Sequence, residues 1–229
     1  MKKTLLLIPF VFGLGSAAWA STCTSDTLAV YDTPGFSCTL GDLTFDDFAY
    51  IPAASGGAVA PPDAGVTVTP VTTGPTGFTT DTGLLFTAAW LASSGQTVDS
   101  SISYDVSTSN PGGITDLALV IVGGSLGTGS ASVAETAAIP PAPPSEFLDT
   151  AFSSGFNSAT DAVTFPPAGS LSLTKDIALV GGTGGSAHVS DVYNLFSQGT
   201  NSTVPEPSLV ILCGGLLVLL PVARRKFVH

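Results

Sequence analysis

The chain has 229 residues, with 6 Lys and Arg against 17 Asp and Glu and a formal net charge of −11 at pH 7. Every base except Lys175 lies in the two termini, so residues 21–203 hold sixteen acids, one base and a net charge of −15. This balance excludes direct nucleic-acid binding, which needs clustered Lys and Arg, and disfavours an anionic membrane surface. With 44% hydrophobic and 10% charged residues, the composition is that of a folded protein rather than a disordered one.

The first twenty residues have the three parts of a secretory signal peptide. Lys2 and Lys3 form a basic start, residues 5–12 form a short apolar run, and Ala18 and Ala20 form a small-residue cleavage site. We expect signal peptidase to cut after Ala20. The alternative is a retained anchor, which is disfavoured because the apolar run is too short to span a bilayer.

The C-terminus holds three unlike parts in fixed order: a proline-rich motif, an apolar stretch and a basic cluster. These parts are Val204, Pro205, Glu206 and Pro207, then Leu209–Ala223, then Arg224, Arg225 and Lys226. As a helix, the apolar stretch would be roughly 22 Å long, against about 30 Å of bilayer hydrocarbon. We therefore predict a short transmembrane helix whose basic end stays in the cytoplasm.

This C-terminal order resembles the PEP-CTERM sorting signal, across about the last 25 residues of the chain together with the signal peptide that accompanies it. The resemblance implies recognition by exosortase, removal of the helix, and delivery of the body to the cell surface or extracellular matrix of a Gram-negative bacterium. The membrane would be contacted only through the C-terminal helix, before processing. This chain departs from the pattern in that Phe227, Val228 and His229 follow the basic cluster. The alternative is an ordinary tail anchor.

Two of the three cysteines lie near the expected mature N-terminus. Cys213 lies in the apolar stretch, whereas Cys23 and Cys38 would remain in the body after processing. In an oxidising compartment such a pair indicates a disulfide, with two free thiols as the alternative. The segment from Cys23 to Phe45 also resembles, more loosely, the mature start of other PEP-CTERM proteins with uncharacterised β-rich bodies.

The body, residues 21–203, has the pattern of an all-β fold. Residues 66–69 and 102–106 alternate between apolar and polar types, while 84–91 and 117–122 are denser apolar runs typical of central strands. We predict a single jelly-roll-like β-sandwich between the signal peptide (1–20) and the sorting signal (204–229). Two similar strand–glycine–strand stretches begin at Asp116 and Asp176 and suggest a duplicated hairpin, unless they are alike by chance.

One pattern invites a catalytic interpretation. Gly123 to Gly127 match G-x-S-x-G around Ser125, and His188 lies downstream with Asp149, Asp161 and Asp176 in between. That order suits a serine hydrolase of the α/β type, but its nucleophile must open a helix. Glycine-broken strand follows Ser125 instead, so we expect no enzyme and no catalytic residue.

Two further candidate sites concern binding. Asp42, Asp46 and Asp47 could attract Ca²⁺ because carboxylates are hard oxygen ligands, but the favoured interpretation is that acids keep the body soluble, with no metal or cofactor. Trp90, Tyr104 and Tyr193 are candidate sugar-stacking aromatics, although core packing is more expected for Trp90.

These features predict an exported surface or matrix protein with a structural or interaction role in the exopolysaccharide layer. A carbohydrate-binding module is the alternative, and a serine hydrolase is the least favoured function. Asn201 opens an N-x-S/T sequon beside the sorting motif.

Overall fold

The computed structural model describes residues 20–75, 81–138, 146–152 and 158–200. In these residues fourteen strands form two sheets packed face to face, which confirms the predicted all-β sandwich. Within the same ranges, no helix is long and apolar enough to cross a membrane. The signal peptide up to residue 19 and the sorting signal 204–229 lie outside the described residues.

The first sheet, sheet A, contains eight strands. In spatial order they are β1 (Ser21–Thr22), β3 (Ser37–Leu40), β4 (Leu43–Ile51), β8 (Thr97–Thr108), β13 (Ser170–Val180), β10 (Ser130–Ala138) and β11 (Glu146–Phe152), with β5 (Ala54–Ser55) also paired to β8. All pairs are antiparallel except β1 with β3.

The second sheet, sheet B, contains six strands, all antiparallel to their neighbours. In spatial order they are β12 (Ser158–Ala168), β9 (Ile114–Leu126), β14 (Ser186–Gln198), β7 (Thr82–Ser93), β6 (Thr67–Val71) and β2 (Asp26–Thr27). A short helix, α1 (Leu28–Tyr31), and a single 3₁₀ turn (Asp63–Gly65) follow β2 and β5 respectively.

Period-two alternation decides which side chains enter the core between the sheets. In β13 every second residue from Leu171 to Leu179 is buried while the residues between them face outward. Strand β9 is denser because both of its faces are buried from Leu117 to Ile121. This matches the prediction of a central strand at 117–122.

Consecutive strands frequently change sheet, and this overturns the predicted duplicated hairpin. The stretch from Asp116 runs from β9 in sheet B to β10 in sheet A, and the stretch from Asp176 runs from β13 in sheet A to β14 in sheet B. Neither pair of strands is joined by a ladder; instead β9 pairs with β14 and β10 pairs with β13. Glycine-rich connections of this length can bridge two sheets as readily as two strands of one hairpin, which the pattern alone does not distinguish.

Candidate functional site

The predicted disulfide is present and holds the start of the body. Cys23 and Cys38 are bonded with their Cα atoms 4.8 Å apart, and both side chains are buried. The N–H of Cys23 also donates to the carbonyl of Thr39 at 2.9 Å. Strand β1 is thereby fixed to β3 within three residues of the expected signal-peptidase site. Of the residues expected at that site, Ala20 is described and half-buried, whereas Ala18 lies outside the described residues.

The G-x-S-x-G pattern does not form a hydrolase site. Ser125 lies near the end of strand β9 rather than before a helix, and its buried hydroxyl has no hydrogen-bond partner in the structure. Its ladder partner on β14 is Ala187, whereas His188 is paired with Gly124 and is exposed. Because side chains alternate between faces of a sheet, Ser125 and His188 point to opposite sides. His188 therefore cannot activate Ser125, and the pair that the sequence suggested does not form a hydrolase site.

Two of the three candidate sugar-stacking aromatics are core residues. Trp90 and Tyr104 are 0% and 1% exposed and therefore cannot stack on a sugar. Tyr193 differs, because it lies half-buried on the outer face of sheet B beside Val71 and a small buried cluster of Ala118, Val120 and Leu195. The expectation that Trp90 packs in the core is therefore confirmed, whereas Tyr104 was wrongly offered as a surface aromatic, because large aromatic side chains are commonly used to fill cores.

The predicted acidic cluster has a different membership. Asp46 and Asp47 on β4 meet Asp105 on β8, each with a carboxylate oxygen within 4.8 Å of the others, whereas Asp42 lies in the β3–β4 turn. These three are the residues of the described part whose oxygens could converge on a cation. Burial, together with the charges of Asp47 and Asp105, raises the pKa of Asp46 above its ordinary value. Asp47 adopts a left-handed backbone, φ 51°, at the bulge between β4 and β8.

A cleft of about 350 Å³ opens at one end of the sandwich. Its lining consists of Leu40, Gly41, Asp42, Thr72, Thr82, Phe196 and Gln198. Asp42 and Gln198 are the lining side chains with strong polar groups, and the threonines add hydroxyls. The cleft therefore has the mixed polar and apolar character of a small-ligand site, and Phe196 is the aromatic residue among its described lining.

The most unusual site lies in the core, where four polar side chains from both sheets meet. We call Tyr104, Glu135, Lys175 and Asn194 the buried polar cluster; each is at most 1% exposed. The first three project from β8, β10 and β13 of sheet A, and Asn194 projects from β14 of sheet B. Glu135 and Lys175 are direct ladder partners, so the sheet register itself places the acid beside the base.

Hydrogen bonds and one ion pair connect all four side chains of the buried polar cluster. Lys175 Nζ donates to Asn194 Oδ1 at 2.5 Å and to Tyr104 Oη at 3.3 Å, and lies 3.5 Å from Glu135 Oε2. Asn194 Nδ2 donates to Glu135 Oε1 at 3.0 Å, and the Tyr104 hydroxyl donates to Asn194 Oδ1. The ammonium group also sits over the Tyr104 ring, 4.3 Å from its centroid.

Burial shifts the ionisation of this cluster towards neutral forms. Removal from water lowers the pKa of Lys175 to about 8, although the charge of Glu135 opposes that shift. The same desolvation raises the pKa of Glu135, against the opposing effects of Lys175 and Asn194, and raises that of Tyr104 well above its ordinary value. Both pKa shifts favour the uncharged amine and the uncharged acid over the ion pair.

Sequence reasoning counted Lys175 as a charge and missed its position. The alternation of the sequence indicates that Lys175 is buried. It lies at the same inward-facing positions of its strand as the apolar residues from Leu171 to Leu179. Glu135 likewise follows Val133 and precedes Ala137 in the inward phase of β10. A charged residue at a core position of an alternating strand predicts a buried partner, since a lone buried charge is very costly.

Comparison with known proteins does not assign the chain to a family. No protein-family model matches the chain, and no curated protein does. Among solved structures, TmCBM61 in complex with β-1,4-galactotriose is 10% identical with a TM-score of 0.36, covering 63% of this chain and 86% of that one. A family 11 carbohydrate-binding module from Clostridium thermocellum, in complex with a mixed-linked tetrasaccharide, is 14% identical with a TM-score of 0.27, covering 76% and 96%. At these identities and TM-scores the likenesses assign no role to any residue here.

Proposed function

We propose that the chain is an exported cell-surface or extracellular-matrix protein with a structural or interaction role in the exopolysaccharide layer. The observation that carries this proposal is the Cys23–Cys38 disulfide, because such bonds form and persist in oxidising compartments outside the cytoplasm. Signal peptidase would release the N-terminus. Exosortase would then act at Val204–Pro207, while Leu209–Ala223 and the basic cluster hold the chain briefly in the inner membrane of a Gram-negative cell.

The surface chemistry of the body supports an extracellular role. Lys175 is the one base in the described residues, and it is fully buried, so that part of the protein presents no Lys or Arg side chain to solvent. A surface of hydroxyls, amides and carboxylates is strongly hydrated and repels other acidic polymers. Such a body suits a solvated structural element among neutral glycans.

The sorting part of the proposal is tested by replacing the central acid of its motif. In the native host, Glu206→Ala should leave a membrane-associated precursor that still contains Arg224, Arg225 and Lys226. The control Ser208→Ala, just beyond the motif, should be processed normally. The C-terminal peptide of the surface-extracted protein, read by mass spectrometry, distinguishes the two. Wild-type surface protein that retains the basic cluster would contradict the proposal.

Carbohydrate binding is the second candidate, favoured by the position of Tyr193. Tyr193 is half-buried on the outer face of sheet B, where it packs against the apolar residues Ala118, Val120 and Leu195. An aromatic ring that is apolar on its face and polar at its hydroxyl suits the alternating character of a sugar. Because the surface is acidic, we expect neutral rather than acidic polysaccharide as the ligand.

This second candidate is tested by co-sedimentation with the host's own matrix polysaccharide and with cellulose. Tyr193→Ala should abolish any binding, whereas His188→Ala, exposed on the same strand, should not change it. Binding that survives Tyr193→Ala would place the glycan site elsewhere, and no binding by the wild type would remove the candidate.

A further inference from the structure

The buried polar cluster holds a primary amine against a carboxamide in a core sealed from water. We propose that Lys175 and Asn194 become joined by an intramolecular isopeptide bond, formed by the folded chain itself with Glu135 as the proton carrier. The bond would link β13 of sheet A to β14 of sheet B through the middle of the sandwich.

The geometry places the nucleophile within reach of the carbon that it attacks. Lys175 Nζ lies 2.5 Å from Asn194 Oδ1, and a carbonyl bond is about 1.2 Å long. Nζ is therefore no more than about 3.7 Å from Cγ, close to the separation of a near-attack conformer. Both residues lie on packed strands, so the reaction needs little further motion. Folding has already removed the conformational freedom that would otherwise oppose the approach of the two groups.

Glu135 touches both nitrogens whose protons must move. Its Oε2 lies 3.5 Å from the attacking Nζ, and its Oε1 accepts a hydrogen bond from the leaving Nδ2 at 3.0 Å. Oε2 has no hydrogen-bond partner in the structure, so it is free to take a proton from the amine. The lowered pKa of Lys175 and the raised pKa of Glu135 both favour that transfer, which produces the neutral amine that can attack.

The reaction balances without any co-reactant. The Nζ lone pair forms a bond to Cγ while the carbonyl pair moves onto Oδ1; the pair then returns and the Cγ–Nδ2 bond breaks. Of the three ammonium protons on Lys175, one goes to Glu135, one goes to the leaving nitrogen, and one stays on the new amide. Ammonia departs and the chain keeps its net charge, with Glu135 protonated.

Tyr104 supplies the remaining requirement, which is stabilisation of the tetrahedral oxyanion. Its hydroxyl donates to Asn194 Oδ1, the atom on which negative charge develops. A fixed donor in a water-free site is the usual device for that charge. The pKa of Tyr104 is raised well above its ordinary value by burial, so the phenol keeps its proton and remains a donor throughout.

The proposal also removes an energetic anomaly. A buried ion pair is frequently less stable than neutral side chains of the same size, because desolvation offsets the Coulomb attraction. Conversion of the Lys175 amine to an amide leaves a neutral linkage in the core and a neutral Glu135. The cross-link therefore replaces the costliest pair in the described core with groups that need no charge compensation.

Mass spectrometry of the full chain tests the bond directly. After denaturation and disulfide reduction, the wild type should be lighter than its sequence mass by one ammonia, about 17 Da. Lys175→Met and Glu135→Gln should lack this loss once the substitution itself is accounted for. The wild type and the variants undergo the same processing at both termini, so the difference between their masses is independent of that processing. Circular dichroism shows whether each variant has folded.

Peptide mapping keeps the test decisive even if both variants unfold. A protease that cuts after Asp and Glu separates Lys175 from Asn194 at Asp176 and Asp191, so a wild-type peptide joining the two segments can only be branched. Trypsin should fail to cut after Lys175 even in denatured protein, because the acylated side chain carries no charge. An intact mass without the loss, with trypsin cleaving after Lys175, would overturn the proposal; loss of ammonia in Lys175→Met would assign it to another asparagine.

Discussion

Lys175 is the residue on which the interior of the sandwich depends most. It is the single base of the body, yet its amine contacts Glu135 and Asn194 inside the core rather than the acids of the surface. Because Glu135 lies on the neighbouring strand and Asn194 on the opposite sheet, the contact fixes the two sheets relative to each other. A shifted strand register would bury an unpaired charge. The cluster therefore favours a single register of the strands in addition to stabilising the contact between the two sheets.

Removing one charge of this pair should cost more than removing both. We expect Lys175→Met, which also prevents the proposed cross-link, to lower the free energy of unfolding by about 3–5 kcal/mol or more, because it leaves Glu135 buried without compensation. The double variant Lys175→Met with Glu135→Gln should regain part of that loss, since glutamine can still accept from Asn194 Nδ2. Urea unfolding followed by tryptophan fluorescence measures both. Equal instability of the single and double variants would show that Glu135 is not charged in the Lys175→Met variant.

At this scale the sequence predicted which residues face inward but not which of them meet. The alternation in β13 puts Lys175 in phase with buried leucines, and this is readable from the chain alone. Its partners are not, because Glu135 and Asn194 are 59 positions apart and reach one another only through the register of three strands. Strand register also decides the case of Ser125 and His188. Their order along the chain suits a catalytic pair, but the register places their side chains on opposite faces of sheet B.

At the scale of elements, the close packing of β7 against β14 depends on a glycine. A Cβ added at Gly83 would lie 1.9 Å from the carbonyl oxygen of Asn194, in the backbone of the adjoining strand. That carbonyl belongs to the residue that carries the buried carboxamide. The approach therefore controls both the ladder and the position of the Asn194 side chain.

We expect Gly83→Ala to destabilise the protein by roughly 1–3 kcal/mol, since one strand must shift to admit the methyl group. Gly169→Ala, in the turn between β12 and β13, is the matched control because a Cβ there meets no atom within 4 Å. It should leave stability within about 0.5 kcal/mol of the wild type. Thermal unfolding compares the two, and similar melting temperatures would mean that β7 and β14 can separate without cost.

The Cys23–Cys38 disulfide stabilises the first strand of sheet A, which spans two residues and pairs on one side. Cys23→Ser with Cys38→Ser should lower stability by about 3 kcal/mol, the value expected for a loop of this length. Treating the wild type with dithiothreitol should give a similar loss, while the double variant should not respond to the reagent. A response in the double variant would indicate an effect other than this bond.

Strand positions were largely predictable, whereas their assignment to sheets was not. Residues 117–122 lie in β9, which is buried on both faces from Leu117 to Ile121, whereas 84–91 lie in β7, where the outer face exposes Thr87, Ala89 and Leu91. The two strand–glycine–strand stretches suggested hairpins, yet each crosses from one sheet to the other. Local pattern determines that a strand forms, and packing of distant strands determines where it lies.

At the scale of the whole molecule, the body is a polyanion with its one cation hidden. Acids on its surface have only other acids as charged neighbours in the described part, as at Asp46 beside Asp47 and Asp105. The pKa of Asp176 is likewise raised, mainly by burial and in addition by its hydrogen bond with Asp99 and the charge of that residue. Folding therefore concentrates negative charge that the unfolded chain would spread out.

Stability should consequently rise as the pH falls from neutral into the acidic range. The pKa values of Asp46 and Asp176 are raised in the folded state, so the native protein holds protons that the unfolded chain releases, and this stabilisation is lost as the pH rises through those values. Melting temperatures between pH 4 and pH 8 measure the trend. Asp46→Asn should flatten it more than Asp63→Asn, which removes an exposed acid in the 3₁₀ turn. A melting temperature that falls steadily on acidification would contradict this account.

Strand β14 closes the described part of the chain, and it is central in sheet B rather than at an edge. It runs for 13 residues between β7 and β9, antiparallel to both. Backbone hydrogen bonds in such ladders lie perpendicular to the strand. Tension applied to the C-terminal end of this domain would thus be directed along β14 and across two rows of bonds at once. If the protein is held by that end in flowing water, unfolding requires that the hydrogen bonds of β14 to β7 and β9 break together in shear. They cannot break one after another, as they would in an edge strand.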